Sequence, residues 1–265
     1  MGKLIDRINE LYHKSQAEGL TDAEKEEQTR LRQEYVQIVR QNFRSQLDNI
    51  DIENEDGSIT NLGEKFGKKV MKTYIKEILD ARGQLSKEIY KTFSKEICRK
   101  VNVLDEYKEA ENLLIFYPYL GEVDVLMNAK QALKEGKKVF FPKVTGSTTM
   151  DFIKVDSLDE FEEGYRGIKE PRGNEIFDKY NICDKTIMIL PGSVFDFLGN
   201  RSGYGKGYYD RYLEMCHKNI TKVGVCFSLQ MLDKIPDVKT TDIPMDYVIN
   251  EKNIIRGVNE NGNVK

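Results

Sequence analysis

The sequence predicts an α/β protein with a mainly parallel sheet flanked by helices in three layers, preceded by a small antiparallel two-helix hairpin. Two observations carry this expectation. After Lys68, short apolar runs of strand length alternate with segments of helical periodicity, whereas before Asp48 the apolar residues recur at helical spacing alone. Alternation of that kind closes as a parallel sheet with crossover helices on its faces.

The hairpin is read from Leu4, Ile8, Leu11 and Tyr12, then Leu31, Tyr35, Ile38 and Phe43. Glu18-Gly19-Leu20 stops the first helix, and Thr21 to Glu24 has the spacing of a capping box that starts the second. The boundaries expected are 1–47 for the hairpin, 48–67 for a polar linker too poor in apolar residues to hold a core, and 68–265 for the main domain. Within that domain helices are expected near 69–81, 86–102 and 122–135. Strands are expected at Leu113–Tyr117, Lys138–Phe141, Thr186–Leu190, Val223–Phe227 and Tyr247–Asn250. Ligands of parallel sheets bind beyond the carboxyl ends of the strands, so the segments after Tyr117, Phe141 and Leu190 should line a site.

Composition narrows the function. The chain has 265 residues and is 39% hydrophobic, and 41 basic against 44 acidic residues give a net charge of −3, which argues against a nucleic-acid partner. Basic residues of the hairpin are interleaved with glutamates, the pattern of a solvated helix face. No apolar run is long enough to span a bilayer and the amino terminus lacks a signal-peptide core, so a cytoplasmic protein is expected. Four scattered cysteines suit reduced thiols, and with two histidines any metal should have oxygen ligands.

The chemically richest stretch is PGSVFDFLGNRSGYGKGYYDRYL at 191–213. Gly203, Gly205 and Gly207 alternate there before a helical segment, so backbone amides and a helix start can approach an anion closely. Arg201 and Lys206 add positive charge, and Asp210 follows at a spacing that could hold Mg2+ beside phosphates. Neither the P-loop pattern nor GxGxxG fits, because Gly207 follows Lys206 and Tyr208 takes the place of the third glycine. A loop whose glycines only make turns is the alternative.

The full run PG-x-x-FD-x-x-G-x-R-x-GYGKGYYDRYL closely resembles the signature of 5-formyltetrahydrofolate cyclo-ligases. YPYLGEVDV at 117–125, GIKEP at 167–171 and TDIPMDYVINE at 241–251 are similar to flanking motifs of that family, so the resemblance spans roughly Lys68 to Glu251. It implies an ATP-dependent ligase of one-carbon folate metabolism that converts 5-formyltetrahydrofolate, polyglutamylated or not, to 5,10-methenyltetrahydrofolate with release of ADP and phosphate. By position it implies a folate contact at Glu122 and an ATP-phosphate loop at Arg201, Ser202, Gly203, Tyr204, Gly205, Lys206, Gly207, Tyr208 and Tyr209. Part of that loop, from Tyr204 to Tyr208, also lies against substrate, and Arg201 and Lys206 carry the catalytic charge. Asp210 and Asp242 match Mg2+-associated aspartates. The family's ATP-contacting K-x-x-L-R falls on 72–76, keeping Lys72 but departing at its end, where Ile75 and Lys76 stand. Tyr117 and its neighbours could pack on flat rings, though core packing would explain them as well. Glu122 alone could equally be a helix-start carboxylate. The first 47 residues resemble the YnzC-like family of short bacterial proteins, which implies the hairpin and leaves its partner open.

Overall fold

The computed structural model describes residues 2–21, 50–54, 56–216, 220–236, 238–239 and 241–257, together with 23–25, 27, 28, 31 and 35. These fall into two units, Met1–Tyr74 and Ile75–Lys265.

In the first unit, helix α1 spans Gly2–Ala17 and ends at Gly19, whose φ of 81° suits a residue without a side chain. The capping box forms as its spacing predicts: the Thr21 amide donates to Glu24 Oε2 at 2.9 Å and the Glu24 amide to Thr21 Oγ1 at 3.3 Å. Lys14 pairs with Glu24 and Arg7 with Glu27, so the segment after Thr21 runs back along α1. Lys14 and the Thr21 bonds hold the Glu24 carboxyl down at about 2. Leu31 and Tyr35 are helical, whereas Ile38 and Phe43 lie outside the described residues.

The expected linker contains regular structure. Strands β1 (Asp51–Glu53) and β2 (Ile59–Asn61) form an antiparallel hairpin, and α2 (Leu62–Gly83) starts directly after it, several residues before the expected helix. Polar residues hold this hairpin where apolar ones are lacking. Asn54 Nδ2 donates to Ser58 and Thr60 oxygens, Asp56 accepts from the Ser58 amide, and Gly57 turns the chain at φ 78°.

The second unit is built on a seven-stranded sheet. Helix α3 (Lys87–Val103) is capped by Ser86, whose Oγ accepts the Ile89 amide, and α4 (Asp105–Glu109) leads into β3 (Asn112–Leu114). Helix α5 (Leu126–Lys134) crosses to β4 (Lys138–Val144), and β5 (Met150–Val155) returns antiparallel to it. A small hairpin of β6 (Phe161–Glu163) and β7 (Lys169–Pro171) precedes β8 (Thr186–Leu190). Then come β9 (Val194–Asp196), β10 (Arg201–Ser202), α6 (Tyr208–Cys216), β11 (Ile220–Val225), β12 (Met231–Leu232), β13 (Tyr247–Ile249) and β14 (Ile254–Arg256). The sheet order is β14-β13-β11-β8-β3-β4-β5, parallel from β13 to β4 with an antiparallel strand on each edge.

Successive residues of the central strands feed opposite cores, which is why these strands read as continuous apolar runs. Leu113, Val139, Phe141, Ile187 and Ile189 join Ile97, Val101 and Ala129 from α3 and α5. On the other face Leu114, Phe140, Met188 and Leu190 meet Tyr212 and Leu213 of α6. Helices therefore cover both faces, giving the expected three layers. Among the described residues no helix is long and apolar enough to cross a membrane.

The chain leaves β3 toward β4 on one side and later returns to β8 on the other, so the strand order reverses between β3 and β8. A crevice opens at such a reversal, beyond the carboxyl ends of the two strands. Behind it, Gly224 of β11 leaves room for Phe195 of β9. A methyl group there would fall inside van der Waals contact of the Phe195 ring and close to Met245. Gly224→Ala should therefore lower stability by about 1–3 kcal/mol, the usual cost of an extra methyl in a full core. Equilibrium denaturation measures this, and an unchanged midpoint would contradict the packing described.

Candidate active site

Two segments meet at the crevice, residues 115–122 after β3 and residues 191–207 after β8. The first bends sharply: Leu120 has φ 46° and Gly121 φ 74°, an unusual left-handed pair. The bend lets Glu122 turn back, so that its Oε2 accepts the Tyr119 amide at 3.0 Å, while the Leu120 carbonyl faces Arg82 at the end of α2. Glu122 is only 6% exposed. Burial pushes its carboxyl up to about 7, against the opposing pull of Arg82, the Tyr119 amide and the Tyr204 hydroxyl.

The second segment is a rigid hairpin with a freer tip. Asp196 is fully buried and accepts from the Leu198, Asn200 and Ile235 amides and from the Asn200 side chain, which fixes the turn between β9 and β10. Ser202 joins this pairing through its backbone, since its carbonyl accepts the Ser193 amide at 2.7 Å. Arg201 comes out of the turn buried. Its Nη2 donates to Asp210 Oδ1 at 2.7 Å and its guanidinium lies 5.7 Å from the centre of the Tyr209 ring, but Nε has no partner.

Beyond it the tip is exposed at Tyr204, Gly205 and Lys206, and Gly205 and Gly207 adopt φ of 83° and 63°. A Cβ at Gly205 would meet nothing within 4 Å, whereas one at Gly203 would crowd the Arg201 guanidinium. Helix α6 starts at Tyr208, so its free amides open onto this tip. Arg211 clamps the loop by donating to the Lys206 and Thr148 carbonyls, and the Tyr208 hydroxyl donates to the Ser147 carbonyl at 3.0 Å. The turn after β4 thereby joins the other two segments, as the strand-end argument expects.

The structure thus brings together Glu122, Tyr204, Arg201, Tyr209 and Asp210 around one crevice. Tyr117 packs against Phe141 and Phe161, with Lys169 near its ring. Lys72 is an exposed residue of α2 in the first unit. Asp242 closes a local turn with the Lys239 amide, and among the described residues no three metal-ligating side chains cluster. The donor set suits an anion, because an unpartnered buried guanidinium nitrogen and a glycine tip lie beside a helix start. It also leaves room for a hard cation, since Arg201 occupies only one oxygen of Asp210.

Sequence reasoning missed Arg82, which is 3% exposed and donates from Nη2 to Tyr204 Oη at 2.8 Å. In the string Asp80-Ala81-Arg82-Gly83 it reads as an ordinary basic residue closing a helix. No local signal distinguishes it, because its partners lie far along the chain.

Comparison with known proteins identifies the two parts of the sequence. The 5-formyltetrahydrofolate cyclo-ligase family matches residues 65–251, and a bacterial family of unknown function, DUF896, matches residues 3–62. A probable 5-formyltetrahydrofolate cyclo-ligase of Schizosaccharomyces pombe is 32% identical over 203 residues, covering 71% of this chain and 98% of the relative. A UPF0291 protein of Lachnospira eligens is 53% identical over 68 residues, covering 26% of this chain and 81% of the relative. Among solved structures, the 5,10-methenyltetrahydrofolate synthetase of Aquifex aeolicus superposes with a TM-score of 0.61 at 34% identity, covering 69% of this chain and 90% of that one. With a family match over most of its length and the parallel sheet that such a fold requires, the chain belongs to the 5-formyltetrahydrofolate cyclo-ligase family.

Proposed function

We propose that this protein converts 5-formyltetrahydrofolate to 5,10-methenyltetrahydrofolate using ATP. The observation that carries the reading is that Arg82 donates to the Leu120 carbonyl, two residues before the buried Glu122, and to the Tyr204 hydroxyl, both at 2.8 Å, which joins the segment of a buried carboxyl to the tip of an anion-binding loop. A formamide oxygen is a poor leaving group. If it attacks the terminal phosphorus of ATP, the bond to ADP breaks and the formyl carbon is left with a phosphate ester. Nitrogen 10 then attacks that carbon, the carbon–oxygen bond breaks to release phosphate, and nitrogen 10 loses its proton.

Phosphoryl transfer needs alignment and charge neutralisation more than covalent help. Lys206 and the amides of 203–207 receive the transferring phosphate, and Arg201 faces the same charge from the rigid side of the hairpin. Magnesium, when bound, would neutralise phosphate oxygens, with Asp210 and Asp242 as its protein ligands. Glu122 accepts hydrogen bonds from the amino and ring N–H groups of the pterin. The activity resides in the part of the chain that holds these residues, all within Ile75–Lys265. Following methenyltetrahydrofolate formation by absorbance, with and without ATP and Mg2+, tests the reading directly; turnover independent of ATP would refute it.

Three outcomes are expected. Lys206→Ala should lower turnover on the order of 100-fold while leaving the thermal midpoint unchanged, because the side chain is exposed but neutralises developing charge. Activity within a few-fold of the parent would remove Lys206 from the mechanism.

Glu122→Gln should weaken folate binding by roughly 2–3 kcal/mol with little effect on ATP. The same variant should change the response to pH. A carboxyl raised from 4.5 to about 7 in the fold contributes stability that is fully present below pH 4.5 and lost as pH rises to about 7. The loss amounts to about 3 kcal/mol at ~1.4 kcal/mol per pH unit. Denaturation of both proteins between pH 4 and 8 should show the parent losing stability relative to the variant across that window. Parallel curves would mean that Glu122 titrates normally.

Finally, a chain beginning at Leu62, where α2 starts, should keep cyclo-ligase turnover within a few-fold. A truncated protein that folds but does not turn over would assign the amino-terminal segment to the site.

A further inference from the structure

The bend after β3 and the tip of the phosphate loop share one anchor. Arg82 Nη2, in the last turn of α2, donates to the Leu120 carbonyl and to the Tyr204 hydroxyl, both at 2.8 Å. The arginine is 3% exposed, whereas the two residues that it joins are not buried: Leu120 is 65% exposed and Tyr204 50%. Packing alone therefore does little to place them, and hydrogen bonds to a buried group do more. Leu120 and Gly121 hold left-handed backbone, and a Cβ built at Gly121 would stand 3.8 Å from the Arg82 carbonyl, so the bend lies directly on the end of α2. On its far side the Glu122 carbonyl accepts the Tyr90 hydroxyl at 2.9 Å. The loop tip has a second tether at the Lys206 carbonyl, which accepts from Arg211, but that one leads to α6 and not to the bend.

A charge-assisted hydrogen bond is strong only while its two ends keep their geometry. Because one nitrogen serves both acceptors, a shift of the loop tip that moves Tyr204 pulls on the guanidinium, and a shift of the bend pulls on it from the other end. We propose that Arg82 is a positioning residue that couples the two halves of the site. Closing the tip on a phosphate sets the 115–122 segment for the folate ring, and filling the ring site sets the tip for phosphate, so each ligand binds more tightly when the other is bound. The proposal rests on the reading that places folate at the 115–122 segment and the ATP phosphates at 203–207. Coupling of this kind is reciprocal, and for one such link a factor of about 5 to 20 is expected, the lower part of the range usual for linked sites. In a reaction where a formyl oxygen must meet the terminal phosphorus, the link favours the complex that holds both reactants over either alone.

The test is titration calorimetry on the full chain with an imido analogue of ATP that cannot transfer its terminal phosphate. The analogue is titrated with and without saturating 5-formyltetrahydrofolate, and the folate with and without saturating analogue. In the parent each ligand should tighten the other by about 5- to 20-fold, and by the same factor in both directions. Arg82→Met and Tyr204→Phe should each bring that factor below about twofold, and the double variant should lie where the single variants lie, since both break one link. The ratio is the readout because a residue that only shapes the crevice, or only touches one ligand, changes the affinities and leaves the ratio alone. Should Arg82→Met fail to fold, Tyr204→Phe carries the test, because losing a hydroxyl from a half-exposed ring leaves no cavity in the core. A factor kept in either variant, or losses that add in the double variant, would overturn the assignment. So would a parent that binds both ligands independently, which leaves Arg82 as a brace for the bend and the proposed reaction untouched. A parent that binds no folate overturns the reading of the site itself, and the coupling with it.

Discussion

The arrangement of the site follows from burying a carboxylate and a guanidinium in one crevice without letting them neutralise each other. Glu122 and Arg82 are both nearly inaccessible; Glu122 accepts the Tyr119 amide and Arg82 donates to the Leu120 carbonyl and the Tyr204 hydroxyl. A tight ion pair between them would be satisfied internally and would have nothing left for a ligand. Held apart, each keeps part of its desolvation penalty, which shows in the raised carboxyl of Glu122 and the open nitrogens of Arg82.

Keeping two such groups in place requires stiff surroundings. The sheet supplies them by ending β3 and β8 side by side, so that the segments leaving them approach from the same end of the sheet. Asp196 then fixes the turn that delivers Arg201, and the Arg201–Asp210 pair ties that turn to the first turn of α6. The tip from Tyr204 to Gly207 is held by side chains instead, by Arg82 at the Tyr204 hydroxyl and by Arg211 at the Lys206 carbonyl, and within it only Gly205 has open space around its Cα.

How much of this the sequence revealed depends on whether a residue's role is local. The buried strands of the second unit were legible, because residues facing two cores must all be apolar, and the capping box was legible from four consecutive residues. Strand β5 was not, since Asp151 and Lys154 interrupt its apolar positions on a sheet edge. The hairpin at 51–61 was missed for a related reason: its stability comes from Asn54, Asp56 and Ser58 bonding to the turn, whereas its strands bury little. Glu122 and the loop were found through a motif, but the motif carries no record of what each residue touches. Ser202 turned out to support the hairpin through its backbone, and Arg82 reaches Tyr204 across 122 positions of sequence. Contacts at such separations are set by topology, which periodicity and spacing cannot supply.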